Sequence, residues 1–221
     1  MGRKATETAQ TLNDVYERLY NRYGPQHWWP GETPFEVVIG AILTQSTAWT
    51  NVEKAIENLK AAGTLDPESL YSISIGNLAT LIRPSGYYNA KAAKVKAFID
   101  RLHDEHGSSL DRLFELDTSA LRNELLSIHG IGAETADSIL LYAAYRPVFV
   151  IDAYTKRIIG RLGLVPESDS YESFQRLFMG NLPHDEGMFN EYHALFVRHG
   201  KEACRKDPIC KNCSLLDICT Y

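Results

Sequence analysis

The sequence predicts an all-α fold, and three observations carry that prediction. Apolar residues recur at spacings of three and four, as in Leu12, Val15, Leu19 and Tyr23, and again in Val95, Phe98, Ile99, Leu102 and His106. Helix start and stop signals punctuate most of the chain. Only "PVFVI" reads as a strand, and one isolated strand cannot build a sheet.

Taken in order, a polar N-terminal segment leads into a first helix with its apolar stripe at Leu12 to Tyr23. "PFEVVIGAILTQ" opens on a proline, which suits a first turn, and is apolar nearly all round, so it predicts a buried helix. "NVEKAIENLKAAG" ends on Gly63 as a C-cap, and "DPESL" opens the next helix. Further helical patterns cover 76–82, 89–106, 118–128, 133–144, 152–162, 170–180 and 186–203. That makes roughly ten helices, with no internal repeat, low-complexity tract or long linker.

A chain of 221 residues buries a real core, as one large domain or two smaller lobes. Hydrophobic residues make 44% and charged residues 23%, ordinary values for a soluble globular protein. The opening "MGRKATETAQ" lacks the apolar region of a signal peptide, and no apolar run is long enough for a membrane span. A cytoplasmic protein without membrane contact is the expectation. A net charge of -5 and a pI near 5.8 argue against a uniformly basic nucleic-acid binder. Basic residues do concentrate locally, in 83–101 (Arg83, Lys91, Lys94, Lys96, Arg101) and in 198–211 (Arg198, Lys201, Arg205, Lys206, Lys211). Such stripes suit phosphate contacts, and they equally describe two solvated helix faces.

All four cysteines fall in the last 18 residues, as Cys204, Cys210, Cys213 and Cys219, with the spacing C-x5-C-x2-C-x5-C. Four thiols in so short a stretch of a cytosolic protein point to a metal centre rather than to disulfides. Structural zinc sites usually show two C-x2-C pairs, and one is present here. A [4Fe-4S] cluster takes four cysteines at wider spacings, so it is favoured over zinc.

The stretch "HGIGAETADSILLYAAYRPVFVIDAYTKR" places two glycines at a helix start and an aspartate at a second helix start. Backbone N–H groups at such a start attract anions. Glu134, just past the glycines, is either a first-turn acid favoured by about 0.3–1 kcal/mol or a carboxylate with a chemical duty. Asp152 follows the apolar "VFVI". It is either an N-cap or a partly desolvated anion able to act on developing positive charge.

Several of these motifs converge on one resemblance. "LLSIHGIGAETADSILLYA" followed by "VFVIDAYTKRIIGRLGL" resembles the helix-hairpin-helix and adjoining aspartate of the endonuclease III superfamily of DNA glycosylases. "RHGKEACRKDPICKNC" is similar to that superfamily's iron–sulfur loop, shortened by one residue in the first gap. The resemblance runs from about residue 30 to the C-terminus. "HWWPG", "LTQSTAW" and "RPSGYYNAKA" resemble the 3-methyladenine DNA glycosylases of this type, whose best-known members lack the four cysteines.

The resemblance implies two helical lobes, one at 26–146 with the hairpin and one combining 1–25 with 147–221 and a C-terminal [4Fe-4S] loop. It implies a monomeric enzyme that flips a damaged base from double-stranded DNA and hydrolyses its N-glycosidic bond. Asp152 becomes the catalytic carboxylate. Glu134 stands where strand-cleaving relatives carry a lysine, and a carboxylate forms no imine, so base removal without lyase chemistry is expected. Trp28, Trp29 and Trp49, the only tryptophans, form the base pocket with Pro30 stiffening the first pair. His129, Gly130 and Gly132 meet the phosphate backbone, with a monovalent cation as a bridge. Gln45 fills the vacated base space, Tyr87 intercalates beside Tyr88, and Asn89 caps the next helix. Lys91, Lys156, Arg157 and Arg205 are candidate phosphate contacts.

The expected substrate is an alkylated purine such as 3-methyladenine. Oxidised pyrimidines or uracil and thymine mismatches, with weak lyase activity, are one alternative, and a non-catalytic DNA-binding protein is another. An adenine-mismatch enzyme is disfavoured, because the buried helix lacks that family's glutamate.

Overall fold

The computed structural model describes residues 2–221 and shows twelve α-helices, with no strand among the described residues. None of these helices is long and apolar enough to cross a membrane. The chain divides into two compact units, one made of the chain up to Trp29 with Pro147–Tyr221, the other of Pro30–Arg146. The sequence-based boundary at 26 falls four residues short of the structural one. Gln26 explains the difference: its N–H donates to Glu191 at 2.7 Å and its amide to the Tyr23 and Gly24 carbonyls, which hold it in the first unit.

The Pro30–Arg146 unit is built around α2 (Pro34–Leu43). Thr33 caps it by accepting from Glu36 N at 3.2 Å, Pro34 fills the first turn, and Phe35 to Leu43 are all buried. Around it lie α3 (Trp49–Ala61), α4 (Pro67–Ser72), α5 (Ile75–Leu81) and α6 (Tyr88–His106). Asp66 and Ser74 cap α4 and α5 through the N–H groups of Ser69 and Asn77. The short α7 (Leu110–Phe114), capped by Ser109, escapes sequence reading because five residues show no periodicity. Then α8 (Thr118–Ser127) leads through a tight turn to α9 (Ala133–Ser138), and the chain continues as one π-helical turn over Ile139–Ala143. That turn packs on α2 and is buried throughout.

In the other unit, α1 (Gly2–Tyr23) packs on α12 (Glu186–Glu202), and α10 (Ala153–Arg161) also contacts α12. The helix α11 (Tyr171–Met179) supplies Phe174 and Phe178 to the core. Phe149 stacks on Phe178 at 3.8 Å and meets Phe189 and Tyr192 edge-on. The buried Tyr192 hydroxyl donates to the Leu12 carbonyl at 2.8 Å, pinning α12 to α1. The "PVFVI" segment is extended and buried but pairs with no strand. Gln175 donates to the Phe149 carbonyl, and the Ile151 N–H donates to the Tyr171 hydroxyl.

Candidate functional site

Asp152 closes the N-terminus of α10. Its Oδ1 accepts from Thr155 N at 2.7 Å, and its Oδ2 lies 3.7 Å from Nε2 of His193 on α12. The carboxylate is 13% exposed and the imidazole 7%. Burial lowers the pKa of His193, outweighing the opposing pull of Asp152, so the ring is neutral at pH 7. The pair is therefore an anion beside a neutral imidazole, not an ion pair. The two sequence readings of Asp152 coexist, because capping occupies one oxygen and leaves the other directed elsewhere. His193 was not anticipated, since a histidine within the apolar run "YHALFV" carries no signal distinguishing it from a core residue.

In the other unit, the turn before α9 presents His129, Gly130 and Gly132. Gly130 has φ +85°, and a side chain there would strike the aliphatic stem of Lys94. Gly132 occupies the N-cap of α9, and Glu134 is exposed on its first turn. Gln45 reaches this turn, donating from Nε2 to the Gly130 carbonyl and to Thr135 Oγ1, each at 3.0 Å. Its Oε1 accepts from Lys94 Nζ. Gln45 and the hairpin are thus brought together, with Lys94 as an unanticipated third partner. Behind the turn, Arg122 on α8 holds the fully buried Asp137 of α9 through two bonds of 2.6 and 3.0 Å.

Tyr87 sits before α6 at φ 44° and is 76% exposed, while Tyr88 begins the helix under the Arg83 guanidinium. The N-cap of α6 is Tyr87, without a side-chain bond, so Asn89 does not cap it as expected. Lys91 also corrects its expectation as a phosphate contact. It is 2% exposed, and its Nζ donates to the Leu43 carbonyl at 2.8 Å and the Ser85 carbonyl at 2.6 Å. Burial, with Lys94 adding to it, lowers its pKa to about 8. An ammonium so enclosed ties α2 to the turn before α6 and offers nothing to a phosphate.

Trp28 and Trp29 are half-buried and meet edge-on at 5.7 Å, and Pro30 follows them. Trp49 belongs to the other unit, where it opens α3 and donates from Nε1 to Glu53 at 2.7 Å.

The four cysteines are free thiols and line one open pocket, walled in part by Ala203, Pro208, Ile209 and Leu216. Among the described residues, no three His, Cys, Asp or Glu side chains converge tightly enough for a single metal ion. Two arginines of α10 hold the loop. Arg157 donates to the Cys204 and Gly200 carbonyls at 2.8 and 3.2 Å. Arg161 donates to Cys204 Sγ at 3.3 Å and to the Arg205 and Lys206 carbonyls. Two of the Arg157 guanidinium nitrogens thus hold the loop backbone, and the side chain is half-buried. The Lys156 ammonium lies 3.1 Å from the Asp169 carbonyl, and Arg205 is exposed with its Nε on the Lys201 carbonyl. Buried His199 bridges Tyr23 Oη at 3.0 Å and Cys213 Sγ at 3.6 Å.

A helix-hairpin turn carrying two glycines, followed by an aspartate at the next long helix start, defines a class of DNA base-excision proteins, and comparison places the chain in it. The chain belongs to the HhH-GPD superfamily of base excision DNA repair proteins, whose family model matches residues 39–184. It is 47% identical to the Methanocaldococcus jannaschii protein MJ1434, over 95% of this chain and 96% of that one. It is 31% identical to endonuclease III of Sulfolobus acidocaldarius, over 85% of this chain and 82% of that protein. Among solved structures, it resembles the Helicobacter pylori 3-methyladenine DNA glycosylase MagIII bound to 1,N6-ethenoadenine. The TM-score is 0.75 and the identity 28%, over 90% of this chain and 97% of that one. An endonuclease III–DNA complex gives a TM-score of 0.82 at 22% identity, over 96% and 94% of the two chains, a likeness of fold.

Proposed function

We propose that this chain is a monofunctional DNA glycosylase that removes alkylated purines such as 3-methyladenine from double-stranded DNA. The observation that carries the reading is Asp152, a mostly buried carboxylate fixed at one oxygen by its own helix while the other remains directed at a neutral imidazole. Such an anion stabilises the oxocarbenium-like sugar as the C1′–N bond breaks, and it orients the water that adds to C1′. The departing base takes the bonding electron pair, and a cationic methylated adenine leaves as a neutral molecule. Chemistry of this kind needs binding and electrostatics more than an acid catalyst.

Three further features support the reading. Glu134 stands at the hairpin position where an imine-forming lysine would be needed for strand cleavage. The 28% identity to an enzyme named for 3-methyladenine supports the choice of lesion. Within their own unit, the half-buried pair Trp28 and Trp29 offers indole faces to a flipped cationic base, an attraction of about 0.5–2 kcal/mol each. The hairpin residues His129, Gly130 and Gly132 meet the phosphate backbone, with a monovalent cation as bridge, and Gln45, Tyr87 and Arg205 contact the same DNA. The protein acts as a cytoplasmic monomer.

Cys204, Cys210, Cys213 and Cys219 would hold a [4Fe-4S] cluster. The fit is that all four cysteines line one pocket, and their C-x5-C-x2-C-x5-C spacing suits a cluster better than the paired C-x2-C pattern usual for zinc. The Arg161 donor at Cys204 suits a thiolate. Base hydrolysis needs no electron, so the group supplies order to a loop carrying Arg205, Lys206 and Lys211, not a redox step.

Duplex DNA treated with a methylating agent tests the function. Release of 3-methyladenine, with strand breaks appearing only after alkali, is the expected result. Release of oxidised pyrimidines instead would favour the specificity of the endonuclease III relatives. Binding without any base release would mean a non-catalytic protein.

A further inference from the structure

His199 touches the cysteine loop twice. Its carbonyl accepts from the Cys204 N–H at 2.9 Å, and its ring Nε2 lies 3.6 Å from Cys213 Sγ. One residue of α12 therefore engages the first and third cysteines of the loop. The ring is 1% exposed, so no solvent supplies either of its nitrogens. Its other nitrogen, Nδ1, lies 3.0 Å from the Tyr23 hydroxyl.

A neutral imidazole carries one N–H, and a metal-bound thiolate only accepts. The arrangement that satisfies every partner has the Tyr23 O–H donating to Nδ1 and Nε2–H donating to Cys213. We infer that His199 is a positioning residue for the metal centre, donating Nε2–H to the Cys213 thiolate, with Tyr23 selecting the tautomer. The inference rests on the iron–sulfur reading of the four cysteines. It differs from the Arg161 contact in kind, because Arg161 brings a full charge to Cys204 whereas His199 brings a neutral, fully enclosed donor.

Hydrogen bonds to cluster thiolates withdraw electron density from the metal and favour its more reduced state, so removing one lowers the reduction potential. The bond also holds the Cys213 side chain against the protein, which slows loss of iron.

The test is voltammetry of the iron-loaded protein alongside iron release to a chelator. Its variants are His199→Phe, His199→Gln and Tyr23→Phe. Phenylalanine removes the donor and is expected to shift the potential negative and speed iron release several-fold. Glutamine, whose Nε2 reaches the same place, is expected to restore most of the potential. Tyr23→Phe keeps its ring and every apolar contact, and a smaller negative shift is expected because the tautomer is no longer fixed. A wild-type potential in both the phenylalanine and the tyrosine variants overturns the inference. Should His199→Phe fail to fold, an unchanged potential in Tyr23→Phe overturns it alone. Wild-type protein that holds zinc or no metal overturns the iron–sulfur reading itself, a failure visible before any variant is made.

Discussion

Asp152 Oδ2 and His193 Nε2 lie 3.7 Å apart, and burial keeps the imidazole neutral beside the carboxylate. A protonated His193 would instead form an ion pair with Asp152, the carboxylate to which the proposed function assigns catalysis. Its enclosure within α12 therefore preserves the charge of Asp152.

The low pKa of His193 has a thermodynamic consequence with a definite sign. Above the ordinary value of 6.5, folded and unfolded chains both carry a neutral ring, and the residue adds no pH dependence. Below it, the unfolded chain binds a proton that the folded chain refuses, so stability falls with pH until the folded pKa is reached. Denaturant midpoints at about pH 7.5 and about pH 5 measure this. His193→Gln is expected to show a smaller drop between the two than wild type, and an equal drop would mean that other groups carry it.

Lys91 separates a structural role from a DNA-binding one. Replacing it by Met leaves the Leu43 and Ser85 carbonyls without their donor, an expected cost of about 1–3 kcal/mol seen as a lower Tm. The slope of log affinity for DNA against log salt is expected to stay unchanged. A slope reduced by about one would restore Lys91 as a phosphate contact.

The hairpin depends on the Arg122–Asp137 pair behind it. Asp137 is fully buried, and Arg122 supplies two short hydrogen bonds to its carboxylate. Arg122→Ala is expected to destabilise the protein by about 3–5 kcal/mol in chemical denaturation. A loss below about 1 kcal/mol would show that other donors satisfy Asp137.

Most of the fold was legible because helices announce themselves through periodicity and caps. The buried α2 and the glycine turn before α9 follow from local signals alone, and the Gly63 signal falls one residue past the actual C-cap, Ala62, where Gly63 takes φ +61°. The strand reading of "PVFVI" failed because an apolar run records burial, not pairing. At the site, the residue types were legible and their partners were not. Lys91 and Arg157 read as surface cations, yet each is claimed by carbonyls from segments distant in sequence. Arg161, His193 and His199 gave no local signal, because what distinguishes them is the tertiary neighbour each one meets.

Glu134 offers a test by addition. Glu134→Lys places an amine at the hairpin position where an imine requires one. Borohydride is expected to trap a covalent DNA adduct with this variant and none with wild type. Trapping by the wild-type chain would mean that another amine, already present, performs lyase chemistry.

The most direct measurement compares base release from methylated duplex DNA by wild type and Asp152→Asn. Asparagine is also a good N-cap, so the helix start and the Tm should be nearly unchanged. Loss of the charge is expected to slow release by about 10²–10³-fold, the usual scale for removing one electrostatic stabiliser. Full activity in a folded Asp152→Asn protein would contradict a catalytic Asp152 and leave it only the capping role.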